Sequence, residues 1–150
     1  MRGVLIVKKV LIPIDGSERG MTSVDFAKEY FPADVAEVIL LHVDVDIMAT
    51  QAMTPVVLES EFEQAKIRAA TLLDKVAERL PNYTVERLST FGDAGAQIVS
   101  AAKSNEVDAI VMTKSTRKGW QRIIGSVCAQ VVKNAPCLVL IVPEGHEEDN

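Results

Sequence analysis

Residues 10–18 read Val10-Leu11-Ile12-Pro13-Ile14-Asp15-Gly16-Ser17-Glu18, an apolar, largely β-branched run that ends abruptly in an acidic, glycine-containing turn. A short apolar run without polar alternation is the pattern of a strand buried on both faces. Asp15 or Ser17 is available to cap the next element. That element has a helical period: Gly20, Val24, Ala27 and Phe31 recur at intervals of four, three and four, and Pro32 closes the segment. Glu37-Val38-Ile39-Leu40-Leu41-His42-Val43 is a second strand, again almost continuous in apolar character. Strand, helix and strand at this spacing make a parallel unit.

The same alternation continues to the C-terminus. Asp44 to about Val57 shows no period and reads as a loop, with two methionines, a proline and several small residues. Helical spacing returns at Phe62, Ala65, Ala69, Leu72, Val76 and Leu80, and Pro81-Asn82 ends it. Thr84 to Phe91 is a strand interrupted by Glu86 and Arg87, which suits a position nearer an edge. Gly92-Asp93 turns the chain, with Asp93 as N-cap of a helix whose apolar face is Ile98, Ala101 and Ala102. Asp108 to Met112 is a short buried strand, and Thr113 to Arg122 is polar and basic. Gly125 to Asn134 is a helix expected to turn Val127, Val131 and Val132 inward, and Cys137 to Val142 is the last strand. Residues 144–150 form an acidic tail expected to be disordered, which leaves residues 1–143 as one domain. Strands alternating with helices give right-handed parallel crossovers, hence an open doubly wound α/β sheet with helices on both faces. Such a sheet binds ligands beyond the carboxyl ends of its strands. Here those ends are Ile14-Asp15-Gly16, Val43-Asp44, Phe91-Gly92 and 112–116.

Composition bounds the function. At 150 residues, 48% hydrophobic, the chain suffices for one domain that buries about 70% of its unfolded surface. With 16 basic against 21 acidic residues the net charge is −5, which gives no overall attraction for nucleic acid or anionic membrane. No apolar run is long enough to span a bilayer, and the run Val4 to Val7 is too short for a signal peptide, so a cytoplasmic protein is expected. Cys128 and Cys137 are too few for a disulfide framework and read as small buried apolar residues.

Most catalytic and binding signatures are absent. The chain has no dinucleotide fingerprint, no phosphate-binding P-loop and no G-x-S-x-G elbow, and no spacing suits a metal. His42 lies inside a strand, where a satisfied sheet residue is the simpler reading than a general base. No catalytic residue is assigned. Two features remain. Asp15 falls where the first strand ends, placed either to accept from a ligand amino group or ribose hydroxyl or to form the turn. Gly125-Ser126 opens the last helix, where free N–H groups and the helix dipole favour an anion. Just before it, Lys114, Arg117, Lys118 and Arg122 gather four of the 16 basic residues into nine positions with no acid among them.

Taken together, the motifs resemble the universal stress protein family over about residues 8–143. V-L-I-P-I-D-G-S-E (residues 10–18) is similar to its first strand and turn, L-L-H-V-D-V (40–45) to its second strand, and V-D-A-I-V-M (107–112) to its fourth. G-S-V-C-A-Q-V-V-K-N-A-P-C-L-V-L-I-V-P (125–143) is the most specific stretch. The resemblance implies a five-stranded parallel sheet in the order 3-2-1-4-5 and a homodimer formed through the last strand, residues 138–142. Members divide into those that bind ATP and those that do not. Carried over, Asp15 would accept from adenine, with Pro13, Ile14 and Val43 around the base, while Met112, Gly125, Ser126 and Val127 would hold ribose and phosphates.

The binders' pattern is G-x-x-G, nine residues, then G-[ST], and its middle fails here. Thr113 and Thr116 (or Ser115) stand where the first two glycines would be, and eight residues separate Thr116 from Gly125. A β-branched residue neither admits a phosphate closely nor adopts positive φ readily. The broken motif points to a stress-response or regulatory homodimer whose adenine-nucleotide binding is weak or lost. The alternative is an ATP- or AMP-binding module that uses Asp15, the basic loop 114–122 and Gly125-Ser126. Slow ATP hydrolysis occurs in the wider family, but no base or magnesium ligand can be named, and a dedicated enzyme is not expected.

Overall fold

A parallel pair of strands needs a crossover, and a right-handed crossover places its helix on a face fixed by the direction in which the chain moves across the sheet. That rule organises the computed structural model, which describes residues 6–45, 54–114 and 125–143. The strands are β1 (Lys9–Pro13), β2 (Glu37–Asp44), β3 (Val85–Phe91), β4 (Ala109–Thr113) and β5 (Leu138–Val142), and the helices α1 (Met21–Tyr30), α2 (Pro55–Ala77), α3 (Ala94–Ser104) and α4 (Ser126–Asn134). The sheet order is β3-β2-β1-β4-β5, all parallel, as the resemblance implied. The chain winds outward through β2 and β3, then crosses to β4 and β5 on the other side of β1. Consequently α1 and α2 cover one face, and α3 and α4 the other.

Two cores arise from the pleat of β1. Val10, Ile12 and Ile14 point to the face that buries Val24, Ala27, Leu73 and Val76 from α1 and α2. Leu11 points the other way, among Ile98, Ala102, Cys128 and Val131 from α3 and α4. This double burial is why β1 and β2 read as unbroken apolar runs. Strand β3 lies at the edge and keeps Glu86, Arg87 and Ser89 exposed, as its interrupted pattern indicated.

Three local expectations are corrected. Helix α2 begins at Pro55, inside the segment read as loop, with Thr54 as N-cap accepting from Val57 N–H at 3.3 Å. The Thr-Pro pair is a proper helix start. Val56 and Val57, both exposed, hid it by breaking the apolar period. Residues 46–53 of that segment lie outside the described residues. At the other end α2 closes at Ala77, and Leu80 is buried in the turn beyond it rather than in the helix. In α4 the inward residues are Cys128 and Val131; Val132 is 52% exposed, because it stands one further residue around the helix from Val131. The tail, residues 144–150, is outside the described residues.

The turn after α2 is tied to α1 by Tyr83, whose hydroxyl donates to Phe31 O at 2.6 Å. Burial raises the Tyr83 phenol above its usual value of 10.0. The native state therefore favours the neutral phenol, so its contribution is complete below about pH 10 and is lost as pH rises through the folded value. Tyr83→Phe should lower the unfolding free energy by about 1 kcal/mol in urea titrations at neutral pH. The difference between the two proteins should shrink above about pH 10.

Candidate functional site

At the point where the winding reverses, the carboxyl ends of β1 and β4 part and leave a crevice. Its volume is about 220 Å³, and its wall includes Pro13, Ile14, Asp15, Val43, Met112, Thr113 and Val127. These seven residues, drawn from three strand ends and one helix, are all ones the sequence singled out. The lining also contains Gly20, Leu41, Ala94, Ile98 and Cys128, which sequence reasoning did not assign to a site. Leu41, Ile98 and Cys128 carry only the core signal, since the same apolar side chains serve the core and the crevice wall. Gly125 and Ser126 sit at the start of α4, next to Val127 but not among the lining residues, and Gly125 is the N-cap without a side-chain bond. Thr116, with Arg117, Lys118 and Arg122, lies outside the described residues. Lys114 continues from β4, its N–H donating to Val142 O at 2.8 Å.

Asp15 fulfils the turn-forming reading and still faces the crevice. Its Oδ1 accepts from Ser17 N–H at 2.9 Å and from Ser17 Oγ at 2.7 Å. Gly16 comes next, in the left-handed region at φ 89°, a conformation that requires glycine in this turn. Among the described residues both contacts fall on Oδ1, so Oδ2 is the oxygen a ligand donor could use. Gly20 allows this arrangement, because a Cβ there would come within 3.0 Å of Asp15 Oδ1.

Polar side chains near the strand ends fasten the surrounding elements to one another. His42 Nδ1 lies 2.8 Å from Ile14 O. A carbonyl only accepts, so Nδ1 carries the hydrogen, and the ring fastens β2 to the end of β1. This is the satisfied sheet histidine the sequence suggested. Asp93 caps α3 by accepting from Ala96 N–H at 2.9 Å, as expected, and its Oδ2 also accepts from Gln130 Nε2 at 3.1 Å. That second bond ties the start of α3 to α4. Gly95 makes room for it, since a Cβ at that position would overlap the Gln130 side chain. Cys128 is buried in the wall, and burial, with a smaller effect from the charge of Asp108, raises the Cys137 thiol. Raised thiols stay protonated and unreactive near neutrality. Among the described residues no group of three or more His, Cys, Asp and Glu could hold a metal ion, and no helix is long and apolar enough to cross a membrane.

An open parallel α/β sheet with a mostly apolar crevice at its switch point, and one carboxylate at the rim, defines a small domain of the doubly wound class. Comparison with known proteins narrows this. The universal stress protein family profile matches residues 7–143, and the chain belongs to that family. A universal stress protein of Methanocaldococcus jannaschii is 28% identical over 152 residues, covering 95% of this chain and 86% of the relative. Among solved structures, the hypothetical protein MJ0577 superposes with a TM-score of 0.81 at 24% identity, covering 95% of this chain and all of the other. A universal stress protein in complex with cAMP gives 0.68 at 22% identity, with coverages of 94% and 100%. An Arabidopsis thaliana family member with AMP bound gives 0.68 at 19%, with 95% of each chain covered. At these identities the superpositions establish the fold.

The Asp93 clasp makes a direct prediction about the crevice wall. Asp93→Ala removes the cap and the partner of Gln130 together and should cost about 1–2 kcal/mol in urea unfolding. Asp93→Asn, which keeps an accepting oxygen, should recover most of that loss.

Proposed function

We propose that this chain is a regulatory protein that binds an adenine nucleotide in the switch-point crevice and works as a homodimer. The observation that carries the proposal is the convergence of Pro13, Ile14, Val43, Met112 and Val127 around one cavity with Asp15 at its rim. Apolar walls suit the flat faces of a purine, and a carboxylate accepts from its exocyclic amino group or from a ribose hydroxyl. The volume, about 220 Å³, is below the ~300 Å³ at which ordinary ligand pockets begin, which suits the nucleoside end better than a whole triphosphate. Thr113 replaces a glycine of the ATP-binding pattern and restricts close approach of phosphate to the backbone. The N-terminus of α4 at Gly125-Ser126 supports one phosphate group near the crevice. The cAMP and AMP complexes of structural neighbours are consistent with this ligand class. No residue is assigned to catalysis.

Calorimetric titration with AMP and ATP tests the proposal. AMP should bind at least as tightly as ATP, and Asp15→Ala should weaken AMP about tenfold. No heat from either nucleotide at millimolar concentration would overturn it. A second reading, a ligand-free stress-response dimer, draws support from the engagement of Asp15 Oδ1 by Ser17. Adenine nucleotide recovered by denaturing freshly isolated protein would count decisively against that reading.

The dimer is proposed to form through β5, an edge strand of the sheet with Leu138 43% exposed and Val139, Leu140 and Ile141 half-buried. An apolar edge strand needs a partner or a cover. Leu140→Asp should give monomer or aggregate on size-exclusion chromatography, whereas an unchanged dimer would move the interface elsewhere.

A further inference from the structure

Helix α1 lacks a local side-chain cap, because its N-cap is Gly20. The cap comes instead from 90 residues away. Thr113 Oγ1, at the end of β4, accepts from Ser23 N–H at 3.1 Å and is paired with the Ser23 hydroxyl. It also donates to Gly20 O at 3.4 Å. A hydroxyl has one hydrogen and two accepting positions. With Thr113 donating to Gly20 O, the Ser23 hydroxyl donates to Thr113, and both accepting positions and the hydrogen are used. Ser23 is completely buried, so this pairing takes place away from water.

The chain of bonds does not stop at Gly20. Gly20 N–H donates to Ser17 Oγ at 3.1 Å, and Ser17 Oγ donates in turn to Asp15 Oδ1 at 2.7 Å. Thr113 and Asp15 stand on opposite sides of the crevice opening, one ending β4 and the other just beyond β1. The relay Thr113–Gly20–Ser17–Asp15 therefore spans the switch point with hydrogen bonds at every step. We propose that Thr113 is a positioning residue: its hydroxyl fixes the Asp15 carboxylate through Gly20 and Ser17. The threonine that interrupts the glycine pattern then serves the nucleoside end of the site, with adenosine or a nucleoside monophosphate as the ligand class. This last step rests on the nucleotide reading above; the relay itself does not.

Two measurements on the full chain separate those levels. The first needs no ligand: amide hydrogen exchange by NMR in wild type, Thr113→Val and Thr113→Ser. Thr113→Val should speed exchange about tenfold at Ser23, and also at Gly20 and Ser17, and Thr113→Ser should restore it. Unchanged exchange at Ser17 and Gly20 would overturn the relay and leave Thr113 as a helix cap only. Should Thr113→Val fail to fold, Thr113→Ala, which also removes the relay hydroxyl, is read at the same amides with the same criteria. The second measurement is AMP titration. Thr113→Val should weaken AMP about tenfold in the wild-type background and have little further effect in Asp15→Ala. Equal losses in both backgrounds would overturn action through Asp15. If wild type binds no AMP while the exchange pattern appears, the positioning role stands and the nucleotide reading fails.

Discussion

Strand β1 is paired on both edges and buried on both faces, and the other elements are arranged as this demands. Its partners are β2 and β4, parallel on either side. Parallel neighbours cannot be joined by a hairpin, so helices must cross over, and the handedness of the crossovers sends α1 and α2 to one face and α3 and α4 to the other. The change of direction falls beside β1. Helices α1 and α4, which follow β1 and β4, therefore lie on opposite faces, and the crevice opens at the strand ends beside them. Fold and site share one cause.

That shared cause explains what was legible in the sequence. Buried parallel strands leave a strong mark, and Val10 to Ile14, Glu37 to Val43 and Asp108 to Met112 were all recognisable by their continuous apolar runs. Strand ends are then known, so Ile14, Asp15, Val43, Met112 and Thr113 could be nominated without coordinates, and the family resemblance added Pro13 and Val127. What escaped is where a local signal was overwritten. The Thr54-Pro55 helix start was masked by exposed Val56 and Val57, and Val132 fits an inward period that Cys128 actually fills. Contacts between elements distant in sequence also escaped. Nothing in Gln130 or Gly95 announces the clasp on Asp93, and nothing in Thr113 announces that its hydroxyl caps a helix that begins at Met21.

Charge adds a further layer. The net charge of −5 gives no general affinity for anions, yet four cations cluster between β4 and α4 in sequence. Three of them, Arg117, Lys118 and Arg122, lie outside the described residues. The apolar crevice walls and Asp15 suit the base and sugar of the proposed ligand. The threonine in place of glycine fits this. A β-branched side chain hinders a phosphate cradle, while its hydroxyl can stiffen the opposite rim.

Whether the switch-point crevice receives an adenine nucleoside group is decided by two-dimensional ¹H–¹⁵N NMR of the full chain titrated with AMP, which detects weak binding and also locates it. Saturable shifts concentrated at Ile14, Asp15, Val43, Met112, Thr113 and Val127, the residues around the cavity, are expected. No shifts at millimolar AMP, or saturable shifts confined to surfaces away from these residues, would contradict nucleotide binding in the crevice.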